Sequence, residues 1–162
     1  MTFVMARRNR FYNALVQTLW TPQDRAGLLA RFDRLSPDAR PLWGSLDAPR
    51  MVTHVTDALR AGLGEVPVAP VRGPLRVWPL NALIVYWLPW PKGAPTAPEL
   101  TARVPTHWGD ELSALRDAIE RFARRDVAGR WPEHAAFGRL DGPAWGRLQY
   151  RHLDHHLRQF GV

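Results

Sequence analysis

Trp145-Gly146-Arg147-Leu148-Gln149-Tyr150-Arg151-His152-Leu153-Asp154-His155-His156-Leu157-Arg158-Gln159-Phe160 is the stretch on which the fold and the chemistry of this chain both turn. Wound as a helix with His152 at zero and ~100° per residue, it puts Trp145 at about 20°, His156 at about 40° and Gln149 at about 60°. Leu153, Leu157 and Phe160 cover roughly 80° to 140°, whereas Arg151, Asp154 and Arg158 fall near 200° to 260°. The buried face is therefore centred near the His152–His156 edge, and the charged face is turned to solvent. Asp141 and Pro143 open this helix in the order of a cap followed by a first-turn proline, and Gly161 stops it.

Two imidazoles at i and i+4 stack one turn apart and can meet one ion. Taken alone, the pair reads equally well as two helix histidines packed at a core edge and hydrogen-bonded. A third ligand has to come from another element. Asp47 caps a second helix running from about Ala48 to Leu63, ended by Gly62 and Gly64. On its wheel Met51, Val55, Ala58 and Leu59 lie between about 40° and 140° from His54, so His54 borders the buried arc. His107, after Pro105-Thr106, and His134, in a loop, rank behind it. Three neutral imidazoles leave positions open for water, as catalytic metal sites do. No Glu stands beside either His in the His-Glu-x-x-His arrangement, which argues against a metalloprotease. His155 points about 60° away from His152 on the other side and belongs to the rim of the same pocket.

Working outward, Thr21-Pro22 starts a helix that carries Leu28, Leu29, Phe32 and Leu35 at helical spacing, and Ser36-Pro37-Asp38 ends it. Glu65 to Pro74 reads as an irregular crossover. Leu75 to Leu88 is expected to be a third helix, with two short strands as the alternative because Val77, Ile84, Val85 and Tyr86 favour sheet. Trp90 to Pro105 is a loop, and Gly109 to Arg125 is a helix striped by Leu112, Leu115, Ile119 and Phe122. The expected organisation is a basic N-terminal segment, residues 1–20, at most partly ordered, followed by one helical domain over 21–162. Four or five helices with two long connections make this an all-α bundle.

With 162 residues the chain has room for one core, and eight Trp supply large side chains to fill it. Cysteine is absent, which removes disulfides, thiolate nucleophiles and Cys-type zinc sites together. The net charge of +7 is carried by arginines spread along the chain, Lys92 being the only lysine. Without a zinc finger, RNP-like strand or GXXG loop, that charge alone makes nucleic acid an unlikely partner. Val77 to Trp90 is too short to span a bilayer and holds two prolines. No clean targeting segment follows Arg7-Arg8, so a soluble cytoplasmic protein is expected. The tryptophans and apolar loops suggest a homodimer.

His152 to Gly161 resembles the C-terminal signature of the DUF1569 proteins, members of the DinB-like metalloprotein superfamily. The resemblance extends to Pro41-Leu42-Trp43-Gly44, Met51-Val52-Thr53-His54, Pro89 to Thr96, Phe137-Gly138-Arg139-Leu140 and Trp145-Gly146. It implies a four-helix bundle with a long crossover between its second and third helices. It also implies one metal-binding His on the second helix, matching His54, and two on the last, matching His152 and His156. Superfamily members of known activity include thiol transferases using bacillithiol, mycothiol or glutathione and a mycothiol-dependent isomerase; the DUF1569 branch has no established reaction. His155 and the Trp90 to Thr96 loop go beyond the general superfamily pattern.

The functional expectation is a divalent-metal-dependent enzyme, a thiol transferase or hydrolase acting on a small molecule. His54, His152 and His156 would hold Zn, Ni, Fe or Mn, and His155 would move a proton. Arg158 and Lys92 would meet an anionic low-molecular-weight thiol cosubstrate, since the chain has no thiol of its own. Asp57 and Gln159, each near one of the ligands, are candidates to orient them. The alternative is a metal-bearing binding or stress-response protein without turnover.

Overall fold

The computed structural model describes residues 16–93 and 96–162. The basic stretch before Val16 and the centre of the Pro91 to Thr96 loop lie outside the described residues. Among those described, the fold is all-α: α1 (Pro22–Phe32), α2 (Ala48–Leu63), α3 (Leu80–Tyr86), α4 (Trp108–Arg124) and α5 (Gly142–Gln159), with single 3₁₀ turns at Pro74–Arg76 and Pro98–Leu100. α2 packs on α4 and α5, and α1 packs on the same two helices from the other side. The short α3 lies against α5 outside this group, within the long connection from α2 to α4.

The two helices that carry the histidines start and stop as their sequences indicate. Asp47 Oδ1 accepts from Arg50 N at 2.8 Å and Asp141 Oδ1 from Ala144 N at 2.9 Å, each satisfying one of the free first-turn donors. Gly64 (φ 83°) and Gly161 (φ 75°) take the left-handed conformation that ends the chain direction after them. At α1, Thr21 holds the cap position without a side-chain bond. Asp24 in the first turn instead reaches back to Thr18 N at 2.9 Å. The third helix is shorter than the expected Leu75 to Leu88. Pro79 has no N–H to donate and bars Trp78 from helical backbone, so a 3₁₀ turn precedes it and only Leu80–Tyr86 is α-helical. The strand alternative for this stretch is not realised.

Leu28, Phe32, Met51, Leu59, Leu115, Ile119, Trp145 and Leu153 are fully or almost fully buried where α1, α2, α4 and α5 meet. Burying each such side chain contributes about 1.5–3 kcal/mol. Leu19 and Trp20, within the basic N-terminal segment, join this core. Leu19 is fully buried, and Trp20 stacks on Phe122 at 5.3 Å between centroids. Trp20 fits because Gly146 has no side chain: a Cβ there would fall 2.1 Å from the indole nitrogen. The charged face anticipated on α5 is real but tied down. Arg151 donates to the Val85 carbonyl at 2.9 Å and Asp154 accepts from Arg31 at 2.7 Å, so both residues fasten neighbouring helices to α5.

Candidate metal centre

α2 and α5 run antiparallel with their apolar faces together, which brings His54 opposite His152 and His156. The three imidazole centroids form an equilateral triangle, 4.9 Å on each side. One ring nitrogen from each lies within 4.8 Å of the others, and His54 Nε2 is 3.0 Å from His152 Nε2. Two nitrogens about 2.1 Å from one ion stand about 3.0–3.4 Å apart at bond angles of 90–109°, so the closest pair already has the right separation. His54 and His156 are buried and His152 is partly exposed.

The outer nitrogens are fixed by partners. His54 Nδ1 is 3.1 Å from the Leu100 carbonyl, which can only accept, so Nδ1 carries the proton and Nε2 presents its lone pair inward. His156 Nδ1 is 2.8 Å from Gln159 Oε1, and the Gln159 amide donates in turn to the Trp43 carbonyl at 2.6 Å. That amide is placed by Gly44 (φ 80°), where any Cβ would stand 2.5 Å from Gln159 Nε2. Metal-ligating histidines are oriented by such contacts through the nitrogen that faces away from the ion. In the ion-free cluster the short His54–His152 contact is a hydrogen bond donated by His152 Nε2–H. A cation would displace that proton.

Burial holds the cluster neutral. Desolvation lowers the His156 pKa to about 3, with His54 adding repulsion and the Gln159 bond opposing. His152 is driven well below its ordinary value by burial first and then by its two neighbours, and His54 is lowered by burial against the raising effect of Leu100 and Asp57. Neutral imidazoles are the form that binds a divalent ion, and His152 would present its Nε2 lone pair once its proton moved to Nδ1. Residues 91–161 match a protein family. Its description is Protein of unknown function (DUF1569), and the match takes in α4, α5, His152 and His156 but stops short of His54. No curated protein and no solved structure matches the chain.

The remaining candidates fall into two groups. His155 is half-buried on the rim, 6.0 Å from the Trp43 ring and 6.1 Å from that of Trp90, and Trp90 also lies 5.8 Å from His152. Lys92 Nζ sits 4.5 Å over the Trp43 ring, a cation–π contact on the same side. Arg158 lies elsewhere: it is exposed and paired with Asp154 at 3.0 Å. His107 is exposed, and His134 is occupied, its Nδ1 accepting from Ala136 N and Phe137 N at 3.1 and 3.2 Å. Gln159 bonds His156, as expected. Asp57 is buried and held by Arg103 rather than by His54. The Leu100 and Trp43 carbonyls carry no sequence signal, since every residue has one.

Proposed function

We propose that this chain is a divalent-metal protein of the DinB-like superfamily. Its four long helices form the bundle, with the α2–α4 connection as its long crossover. It works as a metal-dependent enzyme of the thiol-transferase or hydrolase type on a small molecule. The observation that carries this reading is the triangle of neutral imidazoles with two of its outer nitrogens fixed by hydrogen-bond partners. The donor set fits Zn, Ni, Fe or Mn. When bound, such an ion lowers the pKa of a water or thiol or polarises an electrophile.

The chain's own residues supply the rest. His155, lowered mainly by burial and raised by Asp154, stands beside His156 at 5.4 Å between centroids and is the group to take and return a proton. In the transferase reaction a thiol loses its proton, its sulfur bonds to an electrophilic carbon, and the leaving group departs with the proton passed through His155. Lys92 meets the anionic part of the cosubstrate, while Trp43 and Trp90 exclude water from the rim. The thiol is supplied from outside, because the chain has no cysteine.

Metal-loaded protein is expected to consume a low-molecular-weight thiol in the presence of an electrophile from a chemically varied panel. His155→Gln should lower the rate about 10²–10⁴-fold while leaving metal content unchanged. No consumption of thiol and no hydrolysis anywhere in the panel would favour a metal-bearing protein without turnover, for which the well-satisfied His54 and His156 contacts serve equally. A cytoplasmic location belongs to the same reading; among the described residues no helix is long and apolar enough to cross a membrane. So does a homodimer, supported by the exposed Val77, Trp78, Leu83, Trp87 and Leu88. Light scattering that gives a monomer mass at all concentrations would remove the dimer.

A further inference from the structure

The connection from α2 to α4 has little regular structure, yet its Leu100 carbonyl must stay within hydrogen-bond range of His54 Nδ1. Three residues further on, Arg103 spreads its fork between two helices. Its Nε donates to both Asp57 oxygens at 3.2 and 3.1 Å, and its Nη1 to both Glu111 oxygens at 2.9 and 3.0 Å. Glu111 Oε1 also accepts from Thr106 N at 2.8 Å and Thr106 Oγ1 at 3.0 Å, so the loop is gripped on both sides of α4's start. The two carboxylates are nearly inaccessible, with side-chain exposures of 5% and 1%. A buried ion triad is a poor stabiliser compared with apolar packing of the same shape. Its value here is directional: a planar fork fixes the loop's distance from α2 and α4 at once. Asp57 stands one turn from His54 on α2, so the anchor and the ligand share one rigid element.

We infer that Arg103 is a positioning residue for the metal centre: by latching the crossover to Asp57 and Glu111 it holds the Leu100 carbonyl on His54, and thereby sets which His54 nitrogen faces the other two histidines. The proposal rests on the metal reading for its effect on affinity, but its effect on His54 is independent of any ion. Loss of the latch leaves His54 free to exchange between its two neutral tautomers.

The test uses the full chain in three forms. Arg103→Lys keeps the charge but cannot hold two carboxylates in a fork. The combination Asp57→Asn, Arg103→Met, Glu111→Gln removes the charges together and avoids a buried unpaired carboxylate if the lysine variant fails to fold. Arg60→Met is the control, because Arg60 reaches Asp57 at 3.3 Å from α2 itself and does not touch the loop. Long-range ¹H–¹⁵N spectra of the metal-free protein should show His54 as the Nδ1–H tautomer in the parent and in Arg60→Met, and as a mixture in the other two. Co²⁺ titrated against a chromophoric chelator should bind about 10–100-fold more weakly to those two, with an altered visible spectrum. If the parent takes up no Co²⁺, the metal reading fails and the tautomer spectra still decide the latch. A latch variant that folds, keeps the Nδ1–H tautomer and, where the parent binds Co²⁺, does so as tightly overturns the proposal.

Discussion

His156→Ala should reduce metal affinity by more than about 100-fold, beyond the 10–100-fold expected when only an outer partner of a ligand is lost. His156 is one of the three clustered imidazoles, is 9% exposed, and is held by Gln159, so its loss removes a buried and oriented nitrogen. Elemental analysis of untagged protein should therefore find about one ion per chain in the parent and close to none in the variant. His107→Ala is the matched control, because His107 is exposed at the start of α4 and away from the cluster. Equal metal content in the His156 variant and the parent would end the ligand assignment.

Acid should unfold the metal-free protein well above the pH at which its carboxylates titrate. His54, His134, His152 and His156 are all held below the ordinary imidazole value of 6.5, in each case chiefly by burial. Unfolding lets these groups take up protons that the native state refuses. Stability is therefore whole above pH 6.5 and falls as the pH drops toward the folded values, about 4 for His134 and about 3 for His156. At about 1.4 kcal/mol per pH unit, His156 alone removes about 2 kcal/mol between pH 6.5 and 5. His134 removes a similar amount over the same range, and His54 and His152 act in the same direction, a substantial share of the 5–15 kcal/mol of a typical domain. Glu111 does not confuse this window. Burial raises its carboxyl, but Thr106 and Arg103 outweigh that and hold it below 4.5, so its contribution disappears only at lower pH. Urea unfolding between pH 8 and 4 should show the decline beginning near 6.5, and added Zn²⁺ should shift it to lower pH. A stability unchanged from pH 7.5 to 5 would contradict the burial of these imidazoles.

The histidine cluster is legible because helix caps and helix periodicity are local. Asp47 and Asp141 set the starting phase of α2 and α5, and the wheels then put His54, His152 and His156 on facing edges. The crossover was not legible in the same way. Pro79 shortened the helix expected over Leu75 to Leu88, a local effect that the apolar content of the segment outweighed in a reading by periodicity. Arg103 carries no local signal, because its partners lie 46 residues away in Asp57 and 8 residues away in Glu111, a pairing that only the folded chain creates. Asp57, a sequence candidate to orient His54, is instead neutralised in the interior by the Arg103 guanidinium. Lys92 and Arg158, grouped in sequence as anion contacts, are separated in space, one against Trp43 at the rim and the other paired outside. The basic segment before Val16 lies outside the described residues.

The contact between His54 and His152 spans 98 residues of chain. An ion gripped by both would act as a reversible staple of the kind a secreted protein builds from two cysteines, in a chain that has none. For a closed loop of about 100 residues the entropic restraint on the unfolded chain is worth about 4.7 kcal/mol at 25 °C in the simplest polymer estimate. Chelation would then undo a cross-link, loosening α2 and α5 from one another without cutting a covalent bond.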